Sequence, residues 1–143
     1  MQQLLRRLIL IFILLSSLQC RMTRLPDFDP DLYRQLVSTI AKTDQLYINL
    51  RLADSSQRKF SLHSKKYANV EKSIRIIALQ YESRPFNSRF LPIINNITLL
   101  FERYRDEHRS RNKLPTDAEL LIYQTYLRDA WKPLLIAEQS LKR

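Results

Sequence analysis

The sequence predicts an all-α protein, an antiparallel up-down four-helix bundle after an N-terminal signal segment. Three observations predict it. The chain has 143 residues and no glycine, against an average usage of about 7%. Four stretches beyond residue 29 repeat apolar residues at alternating three- and four-residue steps, which is the spacing of one helix face. Two of these stretches open on strong helix-start signals, Asp29-Pro30-Asp31 and Thr116-Asp117-Ala118-Glu119. Glycine supplies the positive-φ corners of hairpins and the cradles of phosphate-binding loops. Its absence argues together against β-rich folds, P-loops and dinucleotide fingerprints.

The first twenty residues are organised differently from the rest. Arg6 and Arg7 precede an unbroken apolar run from Leu8 to Leu15, extended by Ser16, Ser17 and Leu18 and followed by Cys20. This is the charged-apolar-cleavage order of a secretory signal. The apolar core of about 11 residues falls short of the ~20 that cross a bilayer as a helix. Cys20 is the sole cysteine, and its place directly after the apolar core resembles the lipid-modified cysteine of bacterial lipoproteins. That resemblance covers residues 1–20 alone. It implies a diacylated Cys20, cleavage of residues 1–19, and attachment to a membrane on the periplasmic face of the cell envelope, with the outer membrane favoured. The family usually carries Leu three positions before the cysteine and a small residue one before it. Here Leu18 stands at minus two and Gln19 at minus one. Ordinary cleavage and an uncleaved signal-anchor therefore stay open beside lipidation. With Cys20 acylated the fold would hold no disulfide and would rest on its apolar core.

Residues 20–29 read as a linker and 30–143 as the bundle. In the first helix Asp29 caps, Pro30 suits the first helical position and Asp31 complements the dipole. The seam runs Tyr33, Leu36, Ile40, Thr43, Tyr47, Leu50. Asp54-Ser55-Ser56 ends it and offers a cap for the second helix, whose seam is Phe60, His63, Tyr67, Val70, Ile74, Ile77, Tyr81. Arg84-Pro85 stops that helix. The third begins by Leu91, with Phe90, Ile93, Ile97, Leu100 and Tyr104 as seam and Ile94 and Phe101 widening it. Thr116 and Glu119 form a capping box for the fourth. Its seam is Leu120, Tyr123, Leu127, Ala130, Leu134, Ala137, Leu141, with Trp131 beside it and Pro133 expected to kink it near Asp129 or Ala130. Short connections make neighbouring helices antiparallel.

The chemistry that would mark an enzyme is missing. No Cys-x-x-Cys-His, Glu-x-x-His, His-Glu-x-x-His or Gly-x-Ser-x-Gly pattern is present. Nothing pairs a nucleophile with a base at a defined spacing. The expectation is a non-enzymatic protein without a cofactor. Asn96-Ile97-Thr98 matches a glycosylation pattern but falls inside a helix. The two histidines, His63 and His108, should lie near one pole and are the pair from which a metal site would have to be built. Their settings point elsewhere: His63 sits on a seam as a core-edge residue, and His108 in a charged turn expected to be exposed.

The same pole gathers charge. The chain carries a net charge of +10. Arg51 ends the first helix, Arg58, Lys59, Lys65 and Lys66 open the second, and Arg103, Arg105, Arg109, Arg111 and Lys113 close the third. Cations suit a helix C-terminus, but Arg58 and Lys59 stand at an N-terminus, where the dipole disfavours them. Arg58, Lys59, Arg105, Arg109, Arg111 and Lys113 are therefore the candidate contact residues for an acidic protein partner. The pole should stand about 30–36 Å from the anchored end, at 1.5 Å per residue, and so would face away from the membrane. Nucleic acid is disfavoured because Tyr and Phe fall on core seams rather than between the cations. The resulting expectation is an envelope adaptor, assembly factor or chaperone-like lipoprotein, similar in architecture alone to helical pilotin-type lipoproteins. A bundle that binds a polyanion, lipid or metal, and a signal-anchored membrane protein, are the alternatives.

Overall fold

A computed structural model of the protein describes residues 25–111 and 113–142. Among them run four helices and no strand: α1 Pro30–Leu52, α2 Phe60–Ser83, α3 Leu91–Ser110 and α4 Asp117–Ser140. Each packs on its neighbours in sequence, and α4 closes the ring by packing on α1. The result is the antiparallel four-helix bundle that the seams predict. The signal-like segment and Cys20 lie outside the described residues. No helix described is long and apolar enough to cross a membrane.

Local signals set the start of α1 and α4. The Asp29 carboxylate accepts from the backbone N–H groups of Asp31 and Leu32 at 2.9 and 3.0 Å. At α4 the box is closed on both sides. Glu119 N–H donates to the Thr116 hydroxyl at 3.2 Å, and Thr116 N–H to the Glu119 carboxylate at 2.8 Å. The cap expected for α2 does not form. Ser55–Gln57 closes instead into one turn of 3-10 helix, and α2 starts at Phe60 with Lys59 in the cap position, giving no side-chain bond.

The seam of α2 is as expected, from His63 through Tyr67, Val70, Ile74 and Ile77 to Tyr81, with Phe60 partly buried at its start. The other seams are rotated. In α1 Leu32, Thr39 and Leu46 are buried while Tyr33 and Ile40 are half-buried. In α3 Ile94, Phe101 and His108 take the centre and Ile93 and Leu100 the edge. In α4 Trp131 is buried in the core rather than beside it, and Gln124 and Glu138 are buried too. A bundle helix touches two neighbours, so its buried arc is wider than an a/d stripe and its centre depends on both contacts. Pro133 sits inside the unbroken α4 on the exposed side.

The α2–α3 connection contains the one positive φ among the described residues, Phe86 at φ 58°, ψ 33°. A left-handed corner here is usually glycine, and this chain has none. Phe86 takes the steric strain, with its ring largely exposed.

Candidate functional site

The antiparallel order defines two poles. The near pole, where residue 25 joins the bundle, collects the start of α1, the α2–α3 connection and the end of α4. The far pole collects the α1–α2 and α3–α4 connections. The cations singled out in the sequence are at the far pole, as are both histidines.

There the connections are fastened by side chains acting on backbone carbonyls. The Arg58 guanidinium donates to Arg51 O at 2.9 Å, Ala53 O at 3.1 Å and Pro115 O at 3.3 Å. It ties both connections together. His63 Nε2 lies 2.9 Å from Gln57 O, and His108 Nε2 lies 2.6 Å from Arg58 O. A carbonyl only accepts, so each Nε2 carries the proton. In His108 the other nitrogen, Nδ1, then accepts from the Tyr67 hydroxyl at 3.0 Å. Burial, against the Arg58 carbonyl that pulls the other way, lowers the His108 pKa, with His63 and Arg111 adding to the lowering. The ring is held neutral between Phe60 and Tyr67, edge-on to both.

This corrects the expectation for His108. It is a buried residue of the last turn of α3, one step of four beyond Tyr104, and not an exposed turn residue. Both histidines therefore act as fasteners. Among the described residues no group of three or more His, Cys, Asp or Glu is placed to hold a metal ion, and His63 and His108 each commit Nε2 to a carbonyl.

The six candidate contact residues divide. Arg58 and Arg105 are turned inward. Arg105 is 16% exposed and bridges Glu71 of α2 and Asp106. Desolvation would raise the Glu71 carboxyl, but Arg105 and Arg75 outweigh it and hold its pKa below the ordinary value. Both arginines are structural: the inward position of Arg58 resolves why local helix physics did not ask for a cation there. Arg111 is paired across the α3–α4 connection with Glu119. The Thr116 N–H, then the Arg111 guanidinium, lower the Glu119 carboxyl to about 2. Arg109 shares Asp106 at 3.1 Å yet stays largely exposed. Lys59 and Lys113 are exposed, as are Lys65 and Lys66. None of these four lysines is bridged to a carboxylate among the described residues: Glu71, Asp106, Glu107, Asp117 and Glu119 are engaged by arginines, and Asp54 forms no ion pair.

The near pole holds a group that the seam pattern did not single out. Glu138 is 0% exposed. Its Oε1 accepts from the Tyr81 hydroxyl at 2.9 Å and from Arg84, while Oε2 is buried without a partner. Arg84 also donates to Asp27 O and lies over the rings of Tyr81 and Phe90, about 6 Å from each centroid. The sequence signal was present. Glu138 falls four residues after Leu134, beside the seam position Ala137, and an acid on that side of the helix needs a cation once it is buried.

Comparison of the chain with protein-family models, with curated proteins and with solved structures finds no match, so the functional reading rests on the poles themselves.

Proposed function

We propose that this protein is a non-enzymatic envelope lipoprotein, held to a membrane through Cys20, that acts as an adaptor for an acidic protein partner at its far pole. One observation carries the reading: exposed, unbridged lysines crown a pole whose connections are rigidly fastened from within. Lys59 is the sharpest instance. It occupies a helix cap position where Asp or Ser would stabilise and a cation opposes the dipole. A residue that local stability disfavours is the kind retained for contact. Fixed connections reduce the ordering cost of binding, and complementary charge raises the encounter rate.

Two measurements test it. Mass spectrometry of the mature N-terminus is expected to find an acylated Cys20, and an intact Met1 would remove the anchor. Binding of the purified protein to poly-glutamate is expected to weaken at least fivefold in Lys59→Glu/Arg109→Glu/Lys113→Glu. The same number of reversals at exposed cations of the near pole should leave it unchanged. Equal loss in both sets would refute a localised contact.

A further inference from the structure

The surface between α1 and α2 is not closed by side chains along its length. A groove of about 570 Å³ runs along it, floored by Leu46 and Val70 and walled by Lys42, Asn49, Lys66 and Asn69. Toward the near pole it continues into a second depression of about 270 Å³ that reaches Arg34 and Gln35. Lys42, Ser73 and Ile76 line both, so the two form one trough. From Asn49 back to Arg34 it is about 22 Å long at 1.5 Å per residue.

Its charge is one-sided. Arg34, Lys42, Lys66 and Lys72 line it, and no Asp or Glu does. Asp44 and Glu71, the acids midway along these two helices, face elsewhere. Asp44 turns to Arg128 on α4, and Glu71 to Arg75 and Arg105 on the α3 side. Asp31 engages Arg34 at the trough's end. Lys42, Lys66 and Lys72 are thus exposed and without a carboxylate among the described residues, Lys42 reaching only the Ser73 hydroxyl at 3.4 Å.

Between the cations stand carboxamides. Gln45 Nε2 donates to Asn49 Oδ1 at 2.8 Å. That leaves the Gln45 oxygen and the Asn49 amide group to serve an incoming chain. Asn69 faces them from α2 with its own carboxamide. Carboxamides can both donate to and accept from a main chain, and an extended main chain is the one with unsatisfied N–H and C=O groups to offer. A docked helix would have satisfied its own. No aromatic ring lines the trough, so the stacking platform that single-stranded nucleic acid requires is missing.

We propose that the α1–α2 trough is the docking site for an acidic, extended segment of a partner protein, about six or seven residues long at ~3.3 Å per residue. Alternate side chains enter the floor over Leu46, Val70 and Ile76, and the acidic ones meet Lys42, Lys66 and Lys72. The inference rests on the reading that the partner is an acidic protein, but apart from Lys66 it uses other residues than the far pole.

The test uses the full chain in non-ionic detergent. The probe is a fluorescein-labelled heptapeptide alternating Glu with Leu or Val, read by anisotropy. The same peptide with Gln for Glu and a ten-nucleotide single strand serve as comparisons. Saturable binding of the acidic peptide is expected, weakened at least tenfold by Lys42→Glu/Lys72→Glu and less than twofold by Lys59→Glu/Lys113→Glu. Asn69→Leu should weaken it about threefold, and the Gln peptide should bind at least tenfold less. All these side chains are exposed, and an unchanged melting temperature checks that the fold is intact. If far-pole reversal alone removes binding, the trough is wrong and the acidic-partner reading stands. If neither reversal matters, both are wrong. Tighter binding of the oligonucleotide than of the peptide overturns the protein partner, and indifference to Asn69→Leu overturns the extended strand.

Discussion

The two poles of the bundle solve the same problem with opposite electrostatics. Each must tie loose connecting chain to the ends of the core. The near pole does it with a buried ion pair: Glu138 and Arg84 hold Tyr81 and the backbone at Asp27. The far pole grips the backbone from its core with neutral rings, and its inward-turned Arg105 is paired with Glu71. His63 and His108 grip the backbone at Gln57 and Arg58, while the half-buried Arg58 guanidinium caps carbonyls of both connections. The core follows the same division. Around the far pole lies an aromatic cluster of Tyr47, Tyr67, Phe101, Tyr104 and Tyr123, with Tyr104 and Tyr123 stacked at 4.2 Å. A buried charge is intolerant of losing its partner, whereas a neutral imidazole between a carbonyl and a hydroxyl loses only hydrogen bonds. The poles should therefore differ in how they fail.

The largest effect is expected at the near pole. Arg84→Met strands the Glu138 carboxylate in a site with no solvent and should cost about 3–5 kcal/mol. Adding Glu138→Leu should recover most of that loss, because the unpaired charge goes with it. Urea unfolding of the two variants at pH 7 measures both. If the double variant is no more stable than Arg84→Met, the pair is not what holds that pole.

The far pole should give a smaller loss that depends on pH. His108→Phe keeps the ring packed between Phe60 and Tyr67 but orphans the Arg58 carbonyl and the Tyr67 hydroxyl, at about 1–3 kcal/mol. The folded-state pKa of His108 lies below its ordinary 6.5, first because of burial. Above that value the imidazole is neutral folded or unfolded, and the stability it contributes is fully present. As the pH falls below 6.5 the unfolded chain takes up the proton first, so stability declines until the folded pKa is passed. His63, Tyr67, Arg58 and Arg111 surround the ring and do not supply a carboxylate to reverse the sign. The urea midpoint of the parent protein should drop between pH 7 and pH 5, with a shallower slope in His108→Phe. Parallel slopes would remove His108 as the cause.

The smallest effects separate strain from contact. Phe86→Gly relieves the left-handed corner and should stabilise by about 0.5–1 kcal/mol after the added freedom of the unfolded chain is counted. Lys59→Asp places a capping carboxylate at the start of α2, worth about 0.5–1.5 kcal/mol, while weakening attachment of poly-glutamate. A rise in melting temperature joined to a fall in binding would mark Lys59 as a contact residue. A rise without a fall would make it a poor cap and nothing more.

Much of the bundle was legible in the sequence because the deciding interactions are local. Asp29-Pro30-Asp31 and Thr116-Glu119 close their hydrogen bonds within three residues, so α1 and α4 start where the pattern says. The unbroken three-four spacing from His63 to Tyr81 marks the buried face of α2 without reference to its neighbours. The missing glycine pointed to helices, and no strand occurs among the described residues. The tertiary structure decided what depends on partners far along the chain. The seams of α1, α3 and α4 turn to meet two neighbours at once, which brings Thr39, His108 and Glu138 into the core. Arg58 finds the Pro115 carbonyl 57 residues away, and Glu138 finds Arg84 at a separation of 54. A side chain's sign and helical phase can be read from its neighbours in sequence, but its hydrogen-bond partner is chosen by packing. That choice separates the arginines that hold this protein together from the lysines it leaves exposed.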